Sequence, residues 1–157
     1  MTQHKDFRDH ITNLLKGRGA HVPFEKVVVN FPAEKRGALV PGLPQSAWQI
    51  LEHMRIAQWD IVEYCKDPSH NSPNWPDEYW PQSTEPLNDN AWSFCIDNFG
   101  NDLQTMIEMV QNPENDLVAP MPNTPGHTLL RGALLIADHN AYHLGQLVFI
   151  RRALGIW

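Results

Sequence analysis

Apolar residues recur at helical intervals in four stretches of this chain and nowhere alternate in the strict in-out rhythm of a strand. In residues 3–17, QHKDFRDHITNLLKG, the side chains of Phe7, Ile11, Leu14 and Leu15 share a face, and Gly17 and Gly19 supply a stop. The SAWQ tetrad at 46–49 is a capping box: the Ser46 hydroxyl is placed to accept from the amide of Gln49 while the Gln49 side chain reaches back. The helix it opens carries two stripes, one of Ile50, His53, Ala57, Ile61 and Tyr64, the other of Trp48, Leu51, Trp59 and Val62. So wide an apolar surface predicts more than one neighbour. A third helix starts near Asn88 to Asn90, turns Trp92, Cys95, Ile96, Phe99, Leu103, Met106, Ile107 and Val110 inward, and ends before Pro113. The fourth, residues 129–155, is the most apolar, and Gly155 fits its end.

Between these stretches proline dominates. Residues 20–45 mix Pro23, Pro32, Pro41 and Pro44 with the β-branched run Val27 to Val29, which predicts irregular chain with one or two helical turns. Residues 66–87 hold Pro68, Pro73, Pro76, Pro81 and Pro86, so regular structure is excluded there, yet Trp75, Tyr79 and Trp80 supply the apolar area of an ordered loop. A third such connection, MPNTPGHT, precedes the last helix. The expectation is an all-α fold, a four-helix bundle with long proline-rich crossover loops, in a single domain over residues 1–157.

A net charge of -6 without any run of Lys or Arg argues against a nucleic-acid partner, whose phosphates are bound by clustered cations. The longest apolar runs, GALLIA and LVFI, fall far short of the ~20 residues of a membrane span. The opening MTQHKDFRDH has no apolar core of a secretory signal, so a cytoplasmic location is expected. Cys65 and Cys95 stand apart, outside any CxxC pattern, and read as packed, reduced thiols.

Against this background DHNAYHLGQ, residues 138–146, places His139 and His143 four apart on the buried face that Gly132, Ile136, Gln146 and Ile150 continue. Such a pair can share one ion, but eight histidines shuffled through the chain would give about 0.4 such pairs by chance. His53, on an apolar stripe of the second helix, adds a third buried imidazole. Together they read either as a three-histidine metal site with open positions, or as core histidines satisfied by carbonyls and side chains. The glutamate of HExxH is missing, so proton transfer needs another group. Asp60, two turns beyond His53, and Gln146, one turn beyond His143, are candidates for orienting the ligands or relaying protons, and Asp138 is a further acceptor. Tyr142 reads as packing and Asn140 has no evident role. His4, His10, His21, His70 and His127 fall in the terminal helix or loops and read as solvated, with His127 placed to line a pocket.

The order of elements, with WQILEHMRIAQWDI and DHNAYHLGQLVFIRRALGIW, resembles the DinB-like (DinB/YfiT) superfamily of metal-dependent enzymes along nearly the whole chain. The resemblance implies a four-helix bundle with a divalent ion, nickel or zinc foremost, held by His53, His139 and His143, and it matches NWPDEYWP to the family's aromatic segment. It also implies a small-molecule substrate, with low-molecular-weight thiols used by characterised relatives, in a transferase or hydrolase reaction. The alternative is a non-catalytic bundle that binds a metal for structure or forms a homodimer through helix faces bearing Trp48 and Trp59.

Overall fold

The computed structural model describes residues 2–67, 69–122, 124 and 126–157; Pro68, Asn123 and Pro125 of the proline-rich connections and the side chain of His4 lie outside the described residues. Five α-helices pack together without strands among the described residues: α1 (Thr2–Leu15), α2 (Phe24–Val28), α3 (Ala47–Lys66), α4 (Asp89–Gln111) and α5 (Leu129–Ala153). The four long ones form the expected bundle, with α3 packed against both α4 and α5, and α1 against the far sides of α4 and α5. No helix among the described residues is long and apolar enough to cross a membrane.

Local chemistry fixes the helix ends. Beyond α1, Gly17 adopts φ +60°, a left-handed conformation that an L side chain resists. The capping box at α3 is complete, with Ser46 Oγ accepting from the Gln49 amide at 3.2 Å and Gln49 Oε1 accepting from the Ser46 amide at 3.2 Å. Asn88 caps α4 and Thr128 caps α5, each accepting from the amide three residues on. The β-branched Val27 and Val28 are nonetheless helical, because both are fully buried in the core, a gain larger than the small helix penalty of branching.

The core divides into two clusters along the bundle. One gathers Val27, Phe31, Leu51, Met54, Phe99 and Leu147 with their neighbours. The other gathers Ile11, Val62, Met106, Val110, Ala133 and Ile136 with theirs. On α3 the first cluster ends at Met54 and the second begins at Val62; on α5 the second ends at Ala137 and the first begins at Leu144. The gap is a polar layer. Gln58, fully buried, donates to the carbonyl of Phe99 at 2.6 Å and accepts from Asn140 Nδ2 at 2.8 Å. That gives Asn140 a role its sequence position did not show.

Gly132 lets α5 approach α3 closely, since a Cβ there would lie 2.5 Å from Cys65 Sγ. Cys65 and Cys95 are free thiols, Cys95 buried, as the sequence predicts. Trp48 belongs to the first cluster and is buried, so it offers no docking surface; Trp59, half-buried, sets its ring edge-on to His70 at 5.3 Å.

The loop after α3 is tied back to α3 at both ends of the helix. Gln49 Nε2 donates to the carbonyl of Pro81 at 3.3 Å, and the Ser46 hydroxyl donates to the carbonyl of Thr84. Two turns below His53, Asp60 accepts from the Tyr79 hydroxyl at 2.6 Å and pairs with His70 Nε2 at 2.9 Å. The loop therefore lies along the face of α3 that carries His53.

Candidate metal centre

His53 from α3 and His139 and His143 from α5 converge beside this polar layer, their candidate ligand nitrogens all within 4.8 Å of one another. The ring centroids lie 4.5 to 5.0 Å apart. His53 and His143 are buried and His139 is partly so. Three of the sequence-derived site residues are thus brought together.

Hydrogen bonds set which nitrogens face inward. His53 Nδ1 lies 2.9 Å from the carbonyl oxygen of Tyr79, an atom that can only accept, so Nδ1 carries the proton and Nε2 presents a lone pair. His143 Nδ1 donates to Gln146 Oε1 at 2.7 Å, which fixes the same tautomer there. The His53 and His139 Nε2 atoms are 3.1 Å apart. Two lone pairs at that distance repel; the contact is satisfied by an Nε2–H of His139 or by a cation that takes both. Ligands at 2.0–2.1 Å from a tetrahedral ion are about 3.3 Å apart, so this pair already fits, and the His143 nitrogen lies within 4.8 Å of both. The donors are three neutral imidazoles, a chemistry suited to zinc, nickel, copper or iron.

Electrostatics favours the ligating form. Burial holds the His53 pKa down to about 4, opposed by the Tyr79 carbonyl, and holds His139 down to about 3, with the neighbouring histidines adding to it. Burial also lowers His143, against the bond to Gln146. All three rings stay unprotonated at neutral pH.

Aromatic rings wall the group. Trp80 stacks on His53 at 3.7 Å between centroids with 6° between planes, and meets His143 edge-on at 5.9 Å. Trp75 stands 6.3 Å from His53 and Tyr142 stands 4.9 Å from His143, both largely exposed at the rim. The sequence marks these loop aromatics as an ordered segment but does not place them on the histidines, because five prolines exclude regular structure without specifying a path. Tyr142, read as packing, instead edges the site.

Of the other candidates, Gln146 touches one of the three histidines and Asp60 does not. Asp60 is buried, not solvated, and reaches His53 only through Tyr79, whose hydroxyl it holds and whose carbonyl holds His53 Nδ1. The Tyr79 hydroxyl is pushed up to about 12 by burial and by the Asp60 carboxylate, so it remains a donor. Asp138 is exposed and makes no bond to His139 among the described residues. His70, expected in solvent, is partly buried on Asp60, and His127, also read as solvated, is partly buried and lines a pocket beside Tyr64, whose hydroxyl lies 2.7 Å from its Nδ1.

The fold and the site define an all-α helical bundle with a buried three-histidine group that can hold a metal ion. Comparison of the chain with protein-family models, curated proteins and solved structures finds no match.

Proposed function

We propose that this chain is a divalent-metal-dependent enzyme of the DinB-like kind, with His53, His139 and His143 as the ligands and nickel or zinc as the first metals to test. The observation that carries the reading is the convergence of three unprotonated imidazoles from two helices, two of them locked with Nε2 inward. Three protein ligands leave positions for other molecules, the pattern of catalytic sites and not of sealed structural ones. A bound divalent ion supplies Lewis acidity, lowering the pKa of a coordinated water or thiol so that the anion is present near neutral pH.

The chain's own residues would do the rest. Gln146 and the Tyr79 carbonyl orient two of the rings and fix their tautomers. Trp80 covers one side of His53 and keeps bulk water from it. Trp75 and Tyr142 offer aromatic surface where a small-molecule substrate enters. The reaction class proposed is transfer involving a low-molecular-weight thiol, or hydrolysis.

Two substrate panels separate these, one pairing small thiols with electrophiles and one of esters and amides, each run with nickel- and zinc-loaded protein. Metal-dependent turnover in one panel, lost in His53→Ala and His143→Ala, supports the reading; no turnover in either panel counts against it.

A second reading is favoured by one observation: among the described residues no carboxylate joins the histidine group, and Asp60 is committed to Tyr79 and His70. On that reading the ion is structural and the bundle is not an enzyme. Chelation that unfolds the protein, together with a metal ion lacking exchangeable water, supports it.

A further inference from the structure

We propose that the chain has a second binding site, apart from the three histidines, that takes a single-chain anionic amphiphile such as a free medium-chain carboxylate. A cavity of about 540 Å³ lies between the end of α1, the short helix α2, and the middles of α4 and α5. Sites for small molecules run from about 300 to 1,000 Å³. On α5 it is lined by Ala137, Asn140, Ala141 and Leu144, a direction about 130° around the helix from His139 and His143, and none of the three histidines lines it. The site stands whether or not the histidines hold a metal.

Its chemistry is two-ended. The walls are mostly apolar, with Leu15, Phe24, Met54, Phe99 and Leu103 foremost, and Asn140, whose buried Oδ1 has no partner, is a polar group on the α5 side. At the mouth stand Lys16 and Arg18, both exposed, and neither joins an ion pair among the described residues. Glu25 is the one acid in the lining, so two cations face one anion in a chain whose net charge is -6. An apolar chain inside would restore dispersion contacts that the walls lack and take their surface out of water, while its carboxylate meets the cations. Counting a methylene at about the ~30 Å³ of a liquid water, a ten-carbon chain takes roughly 300 Å³ and fits.

Gly100 adds a separate observation. It lies inside α4, where glycine is a poor helix former, and lines the cavity. Packing does not require it, since a Cβ there would meet nothing within 4 Å, unlike that at Gly132. It is exposed at the cavity's edge, where a bulky side chain has room to reach in.

The test is isothermal titration of the intact protein with decanoate, decanol and decyltrimethylammonium below their aggregation concentrations. Excess acetate is present throughout to occupy any carboxylate-accepting position on a metal. The expected result is saturable one-to-one binding of decanoate, tighter than decanol by about 2–10-fold, the worth of contacts to two exposed cations. The Lys16→Glu/Arg18→Glu double variant should bring decanoate down to the level of decanol. Gly100→Phe should abolish binding with helicity and metal content intact; if that variant does not fold, Ala141→Phe at the exposed edge fills the same space. Equal affinity for decanoate and decanol, binding that survives both filling variants, no decanoate binding with acetate present, or association with phosphatidylglycerol vesicles without decanoate binding would each overturn the proposal.

Discussion

Two histidines of the cluster are held by different neighbours, His53 by the Tyr79 carbonyl and His143 by Gln146, and this determines what single substitutions should do. Gln146→Leu removes the acceptor of His143 Nδ1 while keeping much of the volume. Partners of this kind are worth about 10–100-fold in metal affinity, so zinc or nickel titration should show a loss of that size with helicity unchanged. Asp60→Asn acts at one remove, through the Tyr79 hydroxyl, and should weaken the metal less than Gln146→Leu. The pH dependence of the metal-free protein follows from the lowered imidazole pKa values. An unfolded histidine takes up its proton near pH 6.5, whereas folded His53 does so only near 4 and His139 near 3. Between these values the unfolded chain binds more protons, so stability is full above pH 6.5 and falls as pH drops from 6.5 toward 3. Urea titrations across that range should show the decline, and His53→Gln should flatten it.

At the scale of elements, the polar layer between the two core clusters sets the register of α3 against α5. Gln58→Ala would strip Asn140 Nδ2 of its acceptor and empty the space of a fully buried side chain, a cost of about 1–3 kcal/mol readable in thermal or urea unfolding. Gly132→Val would force α5 away from Cys65 and should cost a similar about 1–3 kcal/mol through overpacking. The helices were legible because their signals are local: the period of 3.6, the Ser46 to Gln49 capping box, and the glycine stops are each contained within a few residues. His139 and His143 were legible as a pair for the same reason, and His53 joined them once both helix faces were drawn. The path of the loop after α3 was not, since Tyr79, Trp80 and His70 reach His53 and Asp60 through contacts spanning ten to twenty-seven positions that no periodicity encodes. Gln58 escaped notice because a lone glutamine beside an apolar stripe looks solvated until its partners Phe99 and Asn140 are in place.

For the whole molecule, a metal ion held by the three histidines would join α3 to α5 beside the polar layer. An ion bound to the folded state alone adds stability by mass action, about 2.7 kcal/mol at a hundred times its dissociation constant. Chelation should therefore lower the unfolding temperature, and readdition of zinc or nickel should restore it. Such a shift reports coupling between ion and fold, but not which residues hold the ion. The most direct measurement is metal stoichiometry, by elemental analysis after equilibration with zinc or nickel, on untagged protein beside His53→Ala, His139→Ala and His143→Ala. One ion per chain is expected in the parent, and its loss in every variant that retains its helicity. One ion per chain retained by all three variants, or none bound by the parent, would contradict it.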